Sequence, residues 1–272
     1  MSKKKVVIEP GNESSAYWRD LWSYRELLYY LTLRDILIRY KQTFLGISWS
    51  AFRPILTITV FTVVFGKIAH LPDNGAPYAI MVCCAILPWQ FFSNALSDAS
   101  NSLVNNAEIL TKVYFPRMIF PISAISISLV DFAISFGILC LLMLVYAFVP
   151  MWTIVFFPLF LAVAFITALG AGFFISSLNV RYRDFKFIIP FLLQLGLFIS
   201  PIGFSSAVIP DRWKLVYYLN PMAGVIDGFR WSVLGGQLYL PGMIMSVSIS
   251  LIILLMGISF FRKLEREFVD II

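Results

Sequence analysis

Four stretches of this chain run without a charged residue for longer than a bilayer is thick. They cover residues 74–97, 132–180, 187–210 and 231–261, which is 24, 49, 24 and 31 residues. A helix crosses the hydrocarbon layer with roughly 20 apolar residues, so the 49-residue stretch holds more than one crossing. No water is available there, and every backbone N–H and C=O must be satisfied inside the protein. Continuous apolar runs, not alternating ones, meet that demand as helices. The chain reads as an all-α polytopic membrane protein. Only 13% of its 272 residues are charged, against roughly a quarter in soluble domains.

Turn and charge signals divide the chain into six spans, at about 46–69, 78–96, 118–148, 153–177, 187–204 and 242–261. Pro88 is expected to interrupt the second. Residues 1–16 form a hydrophilic tail with Lys3, Lys4 and Lys5, and show no signal-peptide core. Residues 17–45 are dense in Trp, Tyr and Arg, which suits a cytoplasmic helix lying in the membrane interface. A transmembrane domain then covers 46–262, and 263–272 is a second charged tail. With six spans, 17 of the 21 Lys and Arg fall on the side of both termini. Cations favour the cytoplasmic face, so both termini are expected there. The net charge of +6 then follows from topology and gives no reason to expect a nucleic-acid partner.

Residues 97–117 form a polar island between two apolar regions. Residues 103–113 can make a short amphipathic helix with Leu103, Ile109, Leu110 and Val113 on its apolar side, ended by Pro116. Such a helix suits docking to a soluble partner; a solvated loop is equally open. Residues 179–186 form a second charged loop.

The sequence also excludes chemistry. No G-x-x-x-x-G-K-[ST] loop is present, so ATP is not hydrolysed here. His70 is the only histidine, which removes a histidine-rich metal site and a Ser/His/Asp arrangement. Cys83, Cys84 and Cys140 lie in apolar spans and read as small buried hydrophobes. No catalytic residue, metal site or resident cofactor is expected. Asp131 is the one acid deep in a span. Isolated charges there face a bundle interior or a wet path. It is open to a role in pore polarity, to proton sensing, and to a structural hydrogen bond with Ser or Thr nearby. Trp49, Phe52, Trp89, Phe91 and Phe92 cluster at the ends of the first two spans. They are candidates for lining a sugar-conducting pore, against packing or an interfacial aromatic belt.

Residues 33–49, LRDILIRYKQTFLGISW, followed by Pro54, resemble the opening of the permease subunits of polysaccharide ABC exporters. That family is the ABC-2 type, including O-antigen and teichoic acid exporters. Residues 87–92 (LPWQFF), 112–117 (KVYFPR), 179–184 (NVRYRD) and Asn220-Pro221 resemble its later motifs in the same order. The resemblance covers about 23–261. It implies a pore built by two copies of the chain, with two copies of a separate ATPase that bind ATP and Mg beneath, in the bacterial cytoplasmic membrane. The lipid-linked polysaccharide is the implied cargo.

The resemblance also implies roles. The first cytoplasmic motif carries Arg34, Asp35, Arg39, Tyr40, Gly46 and Trp49. The loop between spans two and three becomes the ATPase-coupling element, with Asn105, Glu108, Leu110, Lys112, Tyr114, Pro116 and Arg117. The second cytoplasmic loop holds Arg181, Arg183 and Asp184. Residues 205–241, broken by proline and glycine, fit short re-entrant outer helices, with Asn220 and Pro221 at an outer gate. An ABC-2 permease for another cargo, such as a drug or lipid, is the alternative. An ion-coupled transporter or membrane enzyme would need clustered carboxylates or histidines in the spans, which the sequence lacks.

The topology is testable by labelling. Single cysteines at Asn106 and Asp184, in a cysteine-free background, should react only from the cytoplasmic side, and one at Asp211 only from outside. Reaction at 184 from outside would remove the six-span arrangement.

Overall fold

The structure of the protein, a computed structural model, describes residues 14–41, 46–70, 76–112, 115–265 and 268. Among these it is helical, with no strand. Two helices, α1 (Ser14–Ser23) and α2 (Arg25–Lys41), replace the single helix expected over 17–45, with the turn at Tyr24. α3 (Gly46–Phe61) continues into a π-helical segment, Thr62–Ile68. α4 spans Tyr78–Asn105, α5 Ala107–Lys112 and α6 Ile119–Val145. A 3-10 turn, Trp152–Phe156, leads into α7 (Phe157–Arg181), followed by α8 (Phe185–Ile199). α9 (Asp211–Tyr217), α10 (Pro221–Leu234) and α11 (Leu240–Leu264) follow.

Among the described residues five helices are long and apolar enough to cross a membrane: Ser50–Ile68, α4, α6, Trp152–Arg181 and α11. α8, where a fifth span was expected, has 15 residues. At 1.5 Å per residue it covers about 22 Å of a layer about 30 Å thick. α9 and α10 are shorter than a span as well.

Two boundaries differ from the sequence reading. The polar island does not begin a new element at 97: α4 runs on to Asn105, and the short helix covers only Ala107–Lys112. Residues 89–115 contain neither proline nor glycine. The serines there do not compete with the helix but bond back into it, Ser100 to the Ser97 carbonyl and Ser102 to that of Ala99. Pro88 does not divide α4, which passes through it.

α4 is the axis. Its apolar window is 83% buried, against 17–39% for the other four. α6 and α7 pack along it, with Phe91 of α4 meeting Phe132 and Phe165 edge-on and stacked. α8 packs in the opposite sense: Trp89 meets Gly196, and Leu96 sits with Ile189 and Leu193. α7 and α11 run the same way and touch backbone to backbone. Thr167 of α7 donates to Ser250 at 2.8 Å. One turn on, a Cβ at Gly170 would lie 2.5 Å from the Leu254 backbone. Phe173 and Phe261 close the contact below.

The two ends of the bundle are held differently. At one end the Glu265 carboxylate accepts from the Arg117 amide (2.9 Å) and the Tyr17 hydroxyl (3.1 Å). This ties α1, the start of α6 and the end of α11 together. At the other end, residues 200–204 leave the helix inside the protein. Arg230 of α10 donates to the carbonyls of Ile202 and Phe204, both at 2.8 Å, and Tyr78 donates to the one between, on Gly203, at 2.5 Å. Phe65 and Gly66, on the π-helical turn, press against Gly203 and Tyr78 respectively.

The glycine contact sets a sharp contrast. Gly170→Val should prevent α11 from seating on α7 and abolish recovery of folded protein from membranes. Gly137→Ala, where an added Cβ meets nothing within 4 Å, should be recovered at wild-type level. Equal recovery of both would refute the close crossing.

Candidate functional site

α2 lies in a groove between α4 and α6, and its polar side chains fix the register. Thr32 meets Ser123 at 3.1 Å, and the Tyr40 hydroxyl donates to Asp131 at 2.5 Å. Both pairs are 91 residues apart, so α2 and α6 run side by side in the same direction for at least eight residues, about 12 Å. Against α4 the sense is opposite: Arg34 donates to Asn106 (3.0 Å) and Arg39 to Asp98 (3.0 Å).

Arg39 also reaches Asp131, at 3.3 Å. One guanidinium thus serves a carboxylate from each of two long helices, and Tyr40 supplies a further donor to the second. Asp131 has 11% of its side chain exposed, against 35% for Asp98. The Asp131 pair is therefore the one whose rupture costs most: an uncompensated buried charge costs about 3–5 kcal/mol. Burial and the Asp131 hydrogen bond push the Tyr40 phenol up to about 12, so it remains a donor at neutral pH. The partners of Asp131 are cationic and phenolic, from a helix outside the spans, and not the Ser or Thr considered from sequence. Arg34 forms its ion pair with its neighbour Asp35, at 2.7 Å.

The segment expected to couple turns a polar face outward. Leu110, expected on its docking side, is 5% exposed and packs into this chain with Leu31, Leu103, Phe115 and Met118. The amphipathic side seals α5 to its own bundle. What faces out is Glu108 and Lys112, whose side chains are 92% and 73% exposed and 3.8 Å apart. An open cleft of about 520 Å³ runs beside them, lined by Arg34, Val104, Asn105, Asn106, Ala107, Glu108 and Ile109. Pro116 is buried, and Arg117 donates through its guanidinium to the Glu265 carbonyl. Tyr114 lies outside the described residues, as does residue 113. In the second loop Arg181, Arg183 and Asp184 are exposed. Asn179 is buried instead and donates to the Ser100 carbonyl at 2.8 Å, holding the end of α7 to α4.

The aromatic candidates separate. Phe91 is 2% exposed and Trp89 5%. Both rings are spent on packing within one chain, Trp89 against Gly196 and Phe92, which leaves no free face to line a pore. Phe92 is half-buried beside them, and Phe52, on α3, is 48% exposed. Gly46 and Trp49 begin α3; the Trp49 side chain lies outside the described part. Asn220 caps α10, accepting from the Met222 amide at 3.1 Å and donating to Ser200 at 3.0 Å, and Pro221 takes the first helical position.

Sequence reasoning missed two residues here. Glu265 sits in a charged tail and looked like any surface acid. Arg230 looked like an ordinary outer-loop cation, although it and Asp227 are the only two charges between residues 215 and 261, which was a usable signal. Among the described residues no three His, Cys, Asp or Glu come together as a metal site.

Residues 26–234 match the model of the ABC-2 type transporter family. A protein of Myxococcus xanthus described as O-antigen export system permease protein RfbA is 27% identical over 255 residues, covering 93% of this chain and 97% of that protein. One of Klebsiella pneumoniae with the same description is 26% identical over 251 residues, 91% of this chain and 95% of its own length. The inner membrane transport permease YadH of Escherichia coli K12 is 23% identical over 222 residues, with 76% and 85% covered.

The clamp on α2 should behave as one unit. Asp131→Asn and Arg39→Gln should each destabilise the folded protein by a few kcal/mol, and the double variant by much less than the sum. Additive effects would show that the two do not interact. Leu110→Asp should lower the amount of folded protein through its buried site, with or without a partner present.

Proposed function

The chain belongs to the ABC-2 type transporter family, and we propose that it is the membrane-spanning subunit of an ATP-driven exporter of a lipid-linked polysaccharide of the O-antigen kind. The observation that carries this is near-full-length similarity to two permeases whose descriptions name O-antigen export, with more than nine-tenths of each chain covered. The pore forms between two copies in the bacterial inner membrane, with both termini in the cytoplasm. The chain crosses six times. α8, packed antiparallel to α4 and extended by residues 200–204, makes the fifth crossing despite its length, and α9 and α10 are re-entrant at the outer face.

Energy enters from two ATPase subunits. The exposed face of α5, with Glu108 and Lys112, and the cleft beside Arg34 receive them. α2 is bolted to the middle of α6 and the lower part of α4, so a displacement at α5 and α2 reaches both long helices through Arg39, Tyr40 and their aspartates. The polar outward face argues for recognition by hydrogen bonds and charge, not for an apolar helix seated in a partner groove.

Removal of the chain from a polymer-producing cell should abolish surface glycan and leave finished lipid-linked polymer inside. The chain with its ATPase should restore export, and the chain with a hydrolysis-dead ATPase should not. Unchanged surface glycan with altered drug or lipid efflux would favour another cargo, as for a permease whose description names none. Within the working complex, Glu108→Arg should reduce ATP-dependent export several-fold at normal levels of folded protein. Normal export would move the coupling surface elsewhere.

A further inference from the structure

α4, the most enclosed of the long helices, leaves one face open over its second half. Gln90, Ser93, Asn94, Ser97 and Asn101 recur at i, i+3, i+4, i+7 and i+11, which places them in one stripe of a helix. All five are partly exposed. The other directions around α4 are taken. Trp89 and Leu96 face α8, Phe91 and Ala99 face α6 and α7, and Asp98 faces α2.

The stripe differs in chemistry from the other open faces. α3 exposes Ile55 and Leu56, α8 exposes Phe191 and Leu195, and α11 exposes Leu251 and Leu255, as lipid-facing helices do. It also differs in hydrogen bonding. Ser100, Ser102 and Asn106 of the same region bond back to carbonyls. The side chains of Gln90, Ser93, Asn94 and Ser97 bond to no described residue. Gln90 stands 12 residues from Tyr78, about 18 Å along the helix and near its middle. A polar amide facing lipid there would be left without a hydrogen-bond partner, which is unfavourable. This face therefore looks onto water or onto something polar.

We propose that the stripe is the track along which the hydroxylated cargo strand passes. The proposal rests on the reading of the chain as a glycan exporter and adds the surface that touches the sugar. Amides and hydroxyls both donate and accept, as sugar hydroxyls do, and the stripe carries no charge that would hold a strand in place. One polar step per helical turn, about 5.4 Å, is on the scale of a sugar ring. A polymer can exchange one weak bond for the next as it moves.

The test uses the full-length chain with its ATPase in a polymer-producing cell, with Cys83, Cys84 and Cys140 replaced by alanine. Gln90→Cys and Asn94→Cys should react with a charged, water-soluble methanethiosulfonate, several-fold more slowly while polymer is being exported. Leu251→Cys, on the apolar face of α11, should not react. Export per folded transporter should fall at least tenfold in the variant carrying both Gln90→Leu and Asn94→Leu, and less than twofold in Ser97→Thr, which keeps the hydroxyl. The proposal is overturned if positions 90 and 94 are unreactive. It is equally overturned if Asn94→Cys forms disulfide-linked pairs, which would make the stripe a contact between copies. Normal export by the double leucine variant would also overturn it, while leaving the exporter reading intact. A wild-type chain that exports no glycan would instead remove that reading.

Discussion

A carbonyl group with no water to turn to must find its donor inside the protein, and the architecture turns on where that demand is hardest to meet. Along the long helices the demand is met locally. Residues 200–204 are the exception, because the chain leaves α8 there before it has cleared the bundle. Three consecutive carbonyls, 202 to 204, point into the protein, and Arg230 and Tyr78 supply their donors. A guanidinium suits this task, since its several N–H groups are fixed in a fork and its charge is insensitive to burial. Asp227, 3.9 Å from it, offsets that charge and is itself held by Tyr218 at 2.7 Å. α10 is thereby fixed against α4 and the end of α8. A short α8 is tolerable only because this fork exists.

The opposite end of the bundle solves another problem, that of joining a helix outside the spans to helices inside them. Apolar packing of α2 alone would leave it free to slide, because leucine and tyrosine contacts along a groove are similar at neighbouring registers. Directional bonds remove that freedom. Thr32 with Ser123 and Tyr40 with Asp131 select one alignment along α6, and Arg34 and Arg39 select the matching one along α4. Polar groups here specify geometry more than they add stability, which is the better-attested use of buried charge.

Much of the helical layout was legible because hydrophobic runs and prolines act locally. The apolar stretches placed the long helices to within a few residues, except that α4 runs nine residues past the end expected at 96. What could not be read was anything set by a partner far along the chain. Asp131 carried the mark of importance but not its partners, which lie 91 and 92 residues away. Leu110 belonged to an amphipathic pattern that fixed which side was apolar but not what covered it. Trp89 and Phe91 were open to pore lining as well as packing, because composition cannot tell a ring packed on Gly196 or Phe132 from one facing a channel. The polar stripe of α4 was present in the letters. Its residues became a surface only once α6, α7, α8 and α2 were placed around them.

The enclosure of α4 also carries a consequence in time. This helix is made second among the five long ones, yet most of the helices that enclose it are made later. Phe132, Phe165, Gly196 and Arg230 follow it by about 40 to 150 positions in the sequence. During synthesis α4 must therefore wait in the membrane with Trp89 and Phe91 unpacked and the Met81 carbonyl without the arginine that later reaches it. The most central piece of the finished bundle is thus made before most of the helices that enclose it.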